Sequence, residues 1–120
     1  MTKRTRLIVA LTLVLALALP ALAYATSHYV RKSSSTTVYS SGSVYYKQSN
    51  QGSVEDGGYG TMYASIQSYA GGPSWTTRRT VAVPKNGSAS SSVAYNGNLY
   101  RWRLMLSGTG RGYGVLNAFN

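Results

Sequence analysis

From residue 38 onward, apolar and polar side chains alternate along short runs that are separated by glycine, serine and asparagine. The run TMYASIQSY, residues 61–69, places its apolar side chains at every second position, at Met62, Ala64 and Ile66. The run LYRWRLML, residues 99–106, does the same with Tyr100, Trp102, Leu104 and Leu106. Because successive side chains of a strand point to opposite faces, both runs predict strands that are buried on one side.

Turn residues divide this part of the chain into about six to seven short strands. TVYSSGSVYYKQ, residues 37–48, has the form of a hairpin, and Asn96-Gly97 is the strongest hairpin signal in the chain. SNQGSVEDGG, residues 49–58, is predicted to be a loop. A helix over SASSSVAY, residues 88–95, is the main local alternative, and its serines disfavour it. The sequence therefore predicts an all-β fold, a small antiparallel β-sandwich or barrel.

The first 25 residues have a different composition. They begin with the basic segment MTKRTR, continue with an apolar run over residues 7–19, and end in small residues that include Ala23 and Ala25. This three-part layout is typical of a secretory signal peptide, with an uncleaved membrane anchor as the alternative. We expect cleavage after Ala25 or Ala23, no transmembrane segment thereafter, and a secreted, extracellular protein.

The remaining chain is predicted to have two parts. Residues 26–37, which contain the basic segment RKSSSTT, are expected to form a flexible basic N-terminal arm. Residues 38–120 are expected to form a single all-β domain. The sequence has no cysteine, so no disulfide can stabilise this domain. Aliphatic residues are scarce, and the tyrosines and tryptophans must supply much of the core.

The charge balance is strongly basic. The chain has 12 Lys and Arg against two acids, a formal net charge of +10. Without the three basic residues of the predicted signal peptide the net charge is still about +7. An excess of one sign of this size favours association with anionic partners.

The residues that usually carry catalysis are too few for an active site. The chain offers one histidine, His28, and two adjacent acids, Glu55 and Asp56. His28 lies in the predicted arm, and the two acids are expected to be solvated turn residues. General acid–base catalysis needs two positioned titratable groups, and a metal site needs a cluster of ligands. We therefore predict no enzyme activity, no catalytic residue, no metal and no cofactor.

Arginines interleaved with aromatic residues form the more informative pattern. Arg101 and Arg103 lie on the face of the 99–106 strand that is opposite to Trp102, about 7 Å apart by strand rise. The alternative to a binding role is that they are only solubilising charges on the outer sheet face.

A second arginine pair occurs in SWTTRRTVAV, residues 74–83. If Trp75, Val81 and Val83 face the core, Arg79 points inward and Arg78 outward. An inward arginine without an acid is costly, so we predict that this strand lies at a sheet edge or is bulged near Arg79.

The glycine-rich segment SGTGRGYG, residues 107–114, adds Arg111 and Tyr113. Its spacing does not fit the dinucleotide-binding fingerprint, although its backbone N–H groups and Arg111 could hold an anion. The candidate binding residues are Arg78, Arg79, Arg101, Arg103, Arg111 and Tyr113.

These observations predict a secreted, small, cationic, non-enzymatic β protein that binds an anionic cell-envelope target, a polymer or a lipid, with an antimicrobial or bacteriocin-like role. One alternative is a glycan-binding or cell-wall-binding module, in which exposed aromatic rings stack on sugars. Another is a secreted protein-interaction domain, such as an inhibitor or a subunit of a surface assembly. Nucleic acid would suit the charge, but export argues against it as a physiological partner.

Overall fold

The computed structural model describes residues 26–43, 45–69, 71–94 and 99–120 of the 120-residue chain. These residues form eight strands: β1 (Thr26–Lys32), β2 (Val38–Tyr39), β3 (Gln48–Glu55), β4 (Met62–Tyr69), β5 (Thr76–Val83), β6 (Ser88–Ala94), β7 (Arg101–Gly108) and β8 (Gly112–Phe119). The predicted all-β fold is confirmed, and the described part of the alternative helix is strand β6. The predicted signal peptide lies outside the described residues. In the part that is described, no helix is long and apolar enough to cross a membrane.

The strands form two antiparallel four-stranded sheets that pack as a small sandwich. The first sheet has the order β1-β8-β3-β6 and the second sheet has the order β2-β7-β4-β5. Among the described strands, β4 and β5 alone are consecutive in the chain and neighbours in one sheet. Every other connection crosses between the sheets. The hairpin expected at Asn96-Gly97 is therefore wrong, because β6 and β7 lie in different sheets.

The loop predicted over residues 49–58 is also wrong over most of its length. Residues 48–55 form β3, a central strand that pairs with β6 and with β8. Its inward side chains Ser49, Gln51 and Ser53 are buried but polar. Ser53 Oγ donates to Gln51 Oε1 at 2.6 Å, and Gln51 Nε2 donates to Ser91 Oγ at 3.2 Å. The strand is therefore held by polar contacts, and no apolar alternation marks it in the sequence.

The hairpin predicted over residues 37–48 is replaced by an irregular edge that follows β7. The backbone N–H groups of Ser40, Ser43 and Tyr46 donate to carbonyl groups of β7 or of Tyr100 next to it. The Ser40 and Ser43 hydroxyl groups accept from the N–H groups of Leu104 and Trp102, at 2.9 and 2.8 Å. Serine hydroxyl groups thus accept the hydrogen bonds from β7 that the backbone carbonyl groups of a regular strand would accept.

The structure also differs from the flexible arm expected over residues 26–37. Residues 26–32 form strand β1, which pairs with β8 over seven residues from Thr26–Ala118 to Lys32–Gly112. Lys32 is buried, and its Nζ donates to the carbonyl oxygens of Ser34 and Gly110. The physical reason is that β8 is itself a buried central strand, whose backbone groups need a partner on each side.

The apolar core lies between the two sheets, and most of its fully buried side chains come from the second sheet. Met62, Ala64 and Ile66 of β4 are fully buried, as the alternation of the sequence predicts. The inward residues Trp102, Leu104 and Leu106 of β7 are fully buried too. Trp102 Nε1 donates to the Tyr46 carbonyl oxygen at 2.9 Å, so its burial leaves no unpaired donor. A buried side chain of this size contributes roughly 4–6 kcal/mol of transfer free energy.

Glu55, at the end of β3, joins three loops at one end of the sandwich. Its Oε1 accepts from the backbone N–H groups of Gly58 and Asn86, at 2.8 and 2.7 Å. Its Oε2 accepts from those of Gly57, Tyr59 and Arg111, at 3.1 to 3.2 Å. Burial alone would raise the pKa of Glu55, but these hydrogen bonds together hold it below its usual value. Glu55 is therefore a buried structural anion and not the solvated turn residue expected from the sequence.

Candidate functional site

A β-bulge in β5 decides which side of the second sheet Trp75 occupies. Arg79 lies opposite Ile66 in the register, but Thr77 lies opposite Gln67, so Arg78 is one extra residue in β5. Side-chain parity inverts across such a bulge. Trp75 therefore lies on the outer face of the sheet, whereas unbroken alternation predicts it in the core. The predicted edge position and bulge are both confirmed, since β5 ends the sheet order.

On this outer face Trp75 meets the two arginines of β7. We call the group of Tyr39, Tyr69, Trp75, Arg101 and Arg103 the arginine–tryptophan face. The strand register places these side chains on the same side of the sheet. Tyr69 lies opposite Arg101, and Tyr39 lies opposite Met105, two positions beyond Arg103. Residues from β2, β4 and β7 and from the segment that precedes β5 thus place their side chains on one surface.

Arg103 lies at the centre of the arginine–tryptophan face. Its guanidinium carbon is 4.5 Å from the Trp75 ring centroid and 4.2 Å from that of Tyr39. Its Nε donates to Gln67 Oε1 at 2.7 Å, and Gln67 Nε2 donates in turn to Thr77 Oγ1 at 3.0 Å. Burial lowers the pKa of Arg103 and the nearby Tyr39 opposes this effect. A guanidinium stays protonated in proteins, so the centre of the face is a fixed positive charge.

Arg101 is held more loosely at the side of Trp75. Its guanidinium carbon is 5.8 Å from the Trp75 ring centroid, and its Nε donates to the Ser43 carbonyl oxygen at 3.1 Å. A Cβ at Gly42 would lie 3.1 Å from Arg101 Nη2 and 3.3 Å from Trp75 Cη2. The glycine therefore leaves the space in which the arginine and the indole approach each other.

The aromatic rings of the face are available to a ligand. Tyr69 packs against Trp75 with ring centroids 5.5 Å apart and planes tilted by 37°. Tyr39 is 49% exposed, and Trp75 is half-buried. Among the described residues, both arginines donate from Nε only, which leaves their terminal Nη groups without a protein acceptor. The face thus combines stacking surfaces with hydrogen-bond donors that carry positive charge.

The structure separates the remaining predicted binding residues from this face. Arg78 Nε donates to Ser68 Oγ at 2.6 Å, and its guanidinium lies 5.3 Å from the ring of Tyr100, which precedes β7 and packs against the apolar core. Arg79 is exposed at the edge of the sheet.

Arg111 and Tyr113 also lie elsewhere. Arg111 stacks on Tyr59 at 3.9 Å, beside the loops joined by Glu55. Tyr113 is on the outer face of the first sheet, where Arg31 stacks on it at 4.2 Å. Of the predicted set, only Arg101 and Arg103 therefore share the arginine–tryptophan face.

The acidic and histidine side chains occupy other positions. His28 is on β1, hydrogen-bonded to Thr26 Oγ1 at 3.2 Å, and burial lowers its pKa. Glu55 has all its hydrogen bonds with backbone amides. No group of three or more His, Cys, Asp or Glu side chains that could hold a metal ion occurs within the described ranges. The arginine–tryptophan face itself contains no carboxylate.

No protein-family model and no curated protein sequence matches this chain. Solved structures share its fold. The PBSX exported protein XepA matches with a TM-score of 0.54 at 12% identity, over 80% of this chain and 36% of XepA. The Yersinia pseudotuberculosis-derived mitogen matches with a TM-score of 0.51 at 10% identity, over 80% of this chain and 86% of the mitogen. The family 32 carbohydrate-binding module of C. perfringens NanJ, solved with galactose, has a TM-score of 0.42 at 13% identity, over 80% of this chain and 93% of that module. The first two similarities show the fold alone.

Proposed function

We propose that this chain is a secreted glycan-binding module whose arginine–tryptophan face binds an acidic saccharide. The observation that carries the proposal is the position of Trp75 between two arginines whose terminal donors have no protein acceptor among the described residues. A sugar ring stacks on an indole through its C–H groups, and a carboxylate or sulfate accepts a forked pair of hydrogen bonds from a guanidinium.

The charge of the face favours an acidic over a neutral saccharide. A ligand that covers Arg101 and Arg103 takes their Nη groups out of water, and this is costly without a compensating acceptor. A neutral hydroxyl compensates in part, whereas an anionic group makes a charge-assisted hydrogen bond that is about twice as strong. Arg103 is also preorganised by Gln67 and by two aromatic rings, which reduces the entropy lost on binding.

The antimicrobial role expected from charge alone is not part of the proposal, because a general cationic surface would not require an ordered face. Secretion is part of it and rests on the layout of residues 1–25. N-terminal sequencing of the exported protein tests this part. A first residue of Thr26 or Tyr24 supports the predicted cleavage, and a first residue of Met1 contradicts it.

Binding is tested by calorimetry with short polyuronate oligosaccharides and with neutral oligosaccharides of the same length. Loss of charge-assisted hydrogen bonds worth about 1.5–3 kcal/mol predicts that Arg103→Gln weakens uronate binding by roughly 10-fold to 150-fold. Trp75→Ala should weaken it by about tenfold or more, since the stacking surface and the support of Arg103 are both lost.

Two matched variants are the controls. Arg79→Gln removes the same charge from the exposed edge of the same sheet, and Tyr63→Ala removes an exposed ring, 44% accessible, elsewhere on the same sheet. Both should bind like the unmodified chain. If Arg79→Gln weakens binding as much as Arg103→Gln, the protein is a general polyanion binder and the proposed face is wrong. An equal affinity for neutral and acidic oligosaccharides would reject the acidic ligand.

A further inference from the structure

A second arginine–aromatic patch lies on the outer face of the first sheet. Arg31 of β1 lies opposite Tyr113 of β8, and its guanidinium carbon is 4.2 Å from the Tyr113 ring centroid. Tyr29, two residues before Arg31 and therefore on the same face, is 59% exposed. We call Tyr29, Arg31 and Tyr113 the arginine–tyrosine patch.

Amide and hydroxyl groups continue this face beyond the three residues. Ser27 Oγ donates to Asn117 Oδ1 at 2.6 Å, and Asn117 Nδ2 donates to Asn50 Oδ1 at 3.0 Å. The register places all three on the same side of the sheet as Tyr29 and Arg31. The half-buried Asn50 amide keeps its own N–H₂ group for an outside acceptor, since this group donates to no described residue. A row of fixed polar groups next to a stacked arginine is suited to a polyhydroxylated anionic ligand.

Among the described residues, no carboxylate forms an ion pair with the arginine–tyrosine patch. Arg31 is exposed and forms no ion pair among the described residues. Glu55, which lies on the neighbouring strand β3, points to the opposite side of the sheet and accepts hydrogen bonds from five backbone amides. The patch therefore has the same chemistry as the arginine–tryptophan face: a guanidinium on an aromatic ring, an exposed tyrosine and no carboxylate.

The two surfaces point in opposite directions. Each is on the outer face of its own sheet, and the sheets of a sandwich are stacked about 10 Å apart with their inner faces in contact. A single polymer strand lying on one surface cannot also lie on the other. Two strands can be held at once, one on each side.

We infer that the chain is a bivalent cross-linker, which holds two acidic polysaccharide strands on opposite faces of the sandwich. This inference rests on the proposed function, because it assigns the same ligand class to both surfaces. It adds that the stoichiometry is two saccharides per chain, and that the biological effect is the joining of polymer strands.

Two measurements test the inference. Calorimetry with a short uronate oligosaccharide should give two sites per chain, and mixing the protein with polyuronate-coated beads should cluster the beads. Arg31→Gln should reduce the stoichiometry to one and raise the protein concentration needed for clustering at least about tenfold, because cross-linking requires both sites. Tyr29→Ala, which changes a side chain that is 59% exposed, should act in the same direction if Arg31→Gln fails to fold.

The outcomes separate the two proposals. One site per chain that Arg103→Gln removes and Arg31→Gln leaves unchanged would overturn the cross-linker and keep the proposed function. No binding of any uronate would overturn both. Clustering that persists in Arg31→Gln would assign it to self-association, and the inference would be wrong. Arg79→Gln is the charge-matched control, and should keep both sites and the clustering.

Discussion

Replacement of Glu55 by glutamine tests whether one buried carboxylate holds one end of the sandwich together. The two oxygens of Glu55 accept from five backbone N–H groups. Glutamine keeps one oxygen, and in its less costly orientation the amide N–H₂ group replaces Oε1 and faces the two loop N–H donors that Oε1 accepts from. Each buried donor left without an acceptor costs about 1–3 kcal/mol. Glu55→Gln should therefore lower the free energy of unfolding by roughly 2–6 kcal/mol, a large part of the 5–15 kcal/mol typical of a domain.

Urea denaturation followed by tryptophan fluorescence measures this loss, because Trp102 is buried in the core. Asp56→Asn is the matched control: it changes the adjacent acid, whose side chain makes no hydrogen bond with the described residues, and it should alter the free energy of unfolding by less than about 0.5 kcal/mol. A Glu55→Gln variant as stable as Asp56→Asn would refute the structural role of the carboxylate.

The same carboxylate predicts a pH dependence. The pKa of Glu55 is lowered in the folded state, so its stabilising contribution is complete above the unfolded value of about 4.3 and is lost as the pH falls through the folded value. The unmodified chain should lose stability in acid below about pH 4.3, and Glu55→Gln should lose less over the same range. Equal acid sensitivity of the two proteins would contradict the lowered pKa.

Three further predictions concern single residues of the scaffold. Gly112→Ala should destabilise or prevent folding, because its Cβ would collide with the Val54 carbonyl oxygen, whereas Gly72→Ala, where a Cβ meets nothing within 4 Å, should be tolerated; thermal denaturation compares them. Ser49→Ala should leave the urea midpoint unchanged or raise it, because the buried Ser49 hydroxyl has no hydrogen-bond partner among the described residues, and a clear loss of stability would imply a partner. Burial lowers the pKa of His28, so the folded state favours the neutral ring and stability should decrease as the pH falls below about 6.5. Urea midpoints at pH 5 and pH 7 should differ less in His28→Gln than in the unmodified chain.

The strands that the sequence predicts well are those whose inner face is apolar. Met62, Ala64 and Ile66 lie on a strand that is buried on that side, and the alternation marks it directly. Strand β3 has the opposite character, because its buried residues Ser49 and Gln51 are polar. No apolar alternation marks these buried positions, so no local pattern distinguishes this strand from a loop.

The candidate site shows a similar division. Arg101 and Arg103 follow from the alternation of one strand, and their outward position was predictable. Regular alternation places Trp75 in the core, and this prediction is wrong because a bulge between Thr77 and Arg79 inverts the parity of β5. The cost of an inward arginine predicted the irregularity at this position, but not that it would carry the tryptophan to the outer face.

Tyr39 and Tyr69 join the arginine–tryptophan face through pairing with β7 and through packing on Trp75. The pairing with β7 connects residues that are far apart in the chain, so it requires knowledge of the sheet order. The separation of Arg111 and Tyr113 from the face has the same origin, because β7 and β8 belong to different sheets.

The strand order also determines when the protein can fold. Strand β8 is last of the eight, yet it lies between β1 and β3 in the first sheet and pairs with both. Until β8 has been synthesised, β1 has no neighbour in its sheet and β3 lacks one of its two. The sandwich therefore cannot assemble progressively on the ribosome, and a chain truncated before residue 112 should be degraded or aggregate.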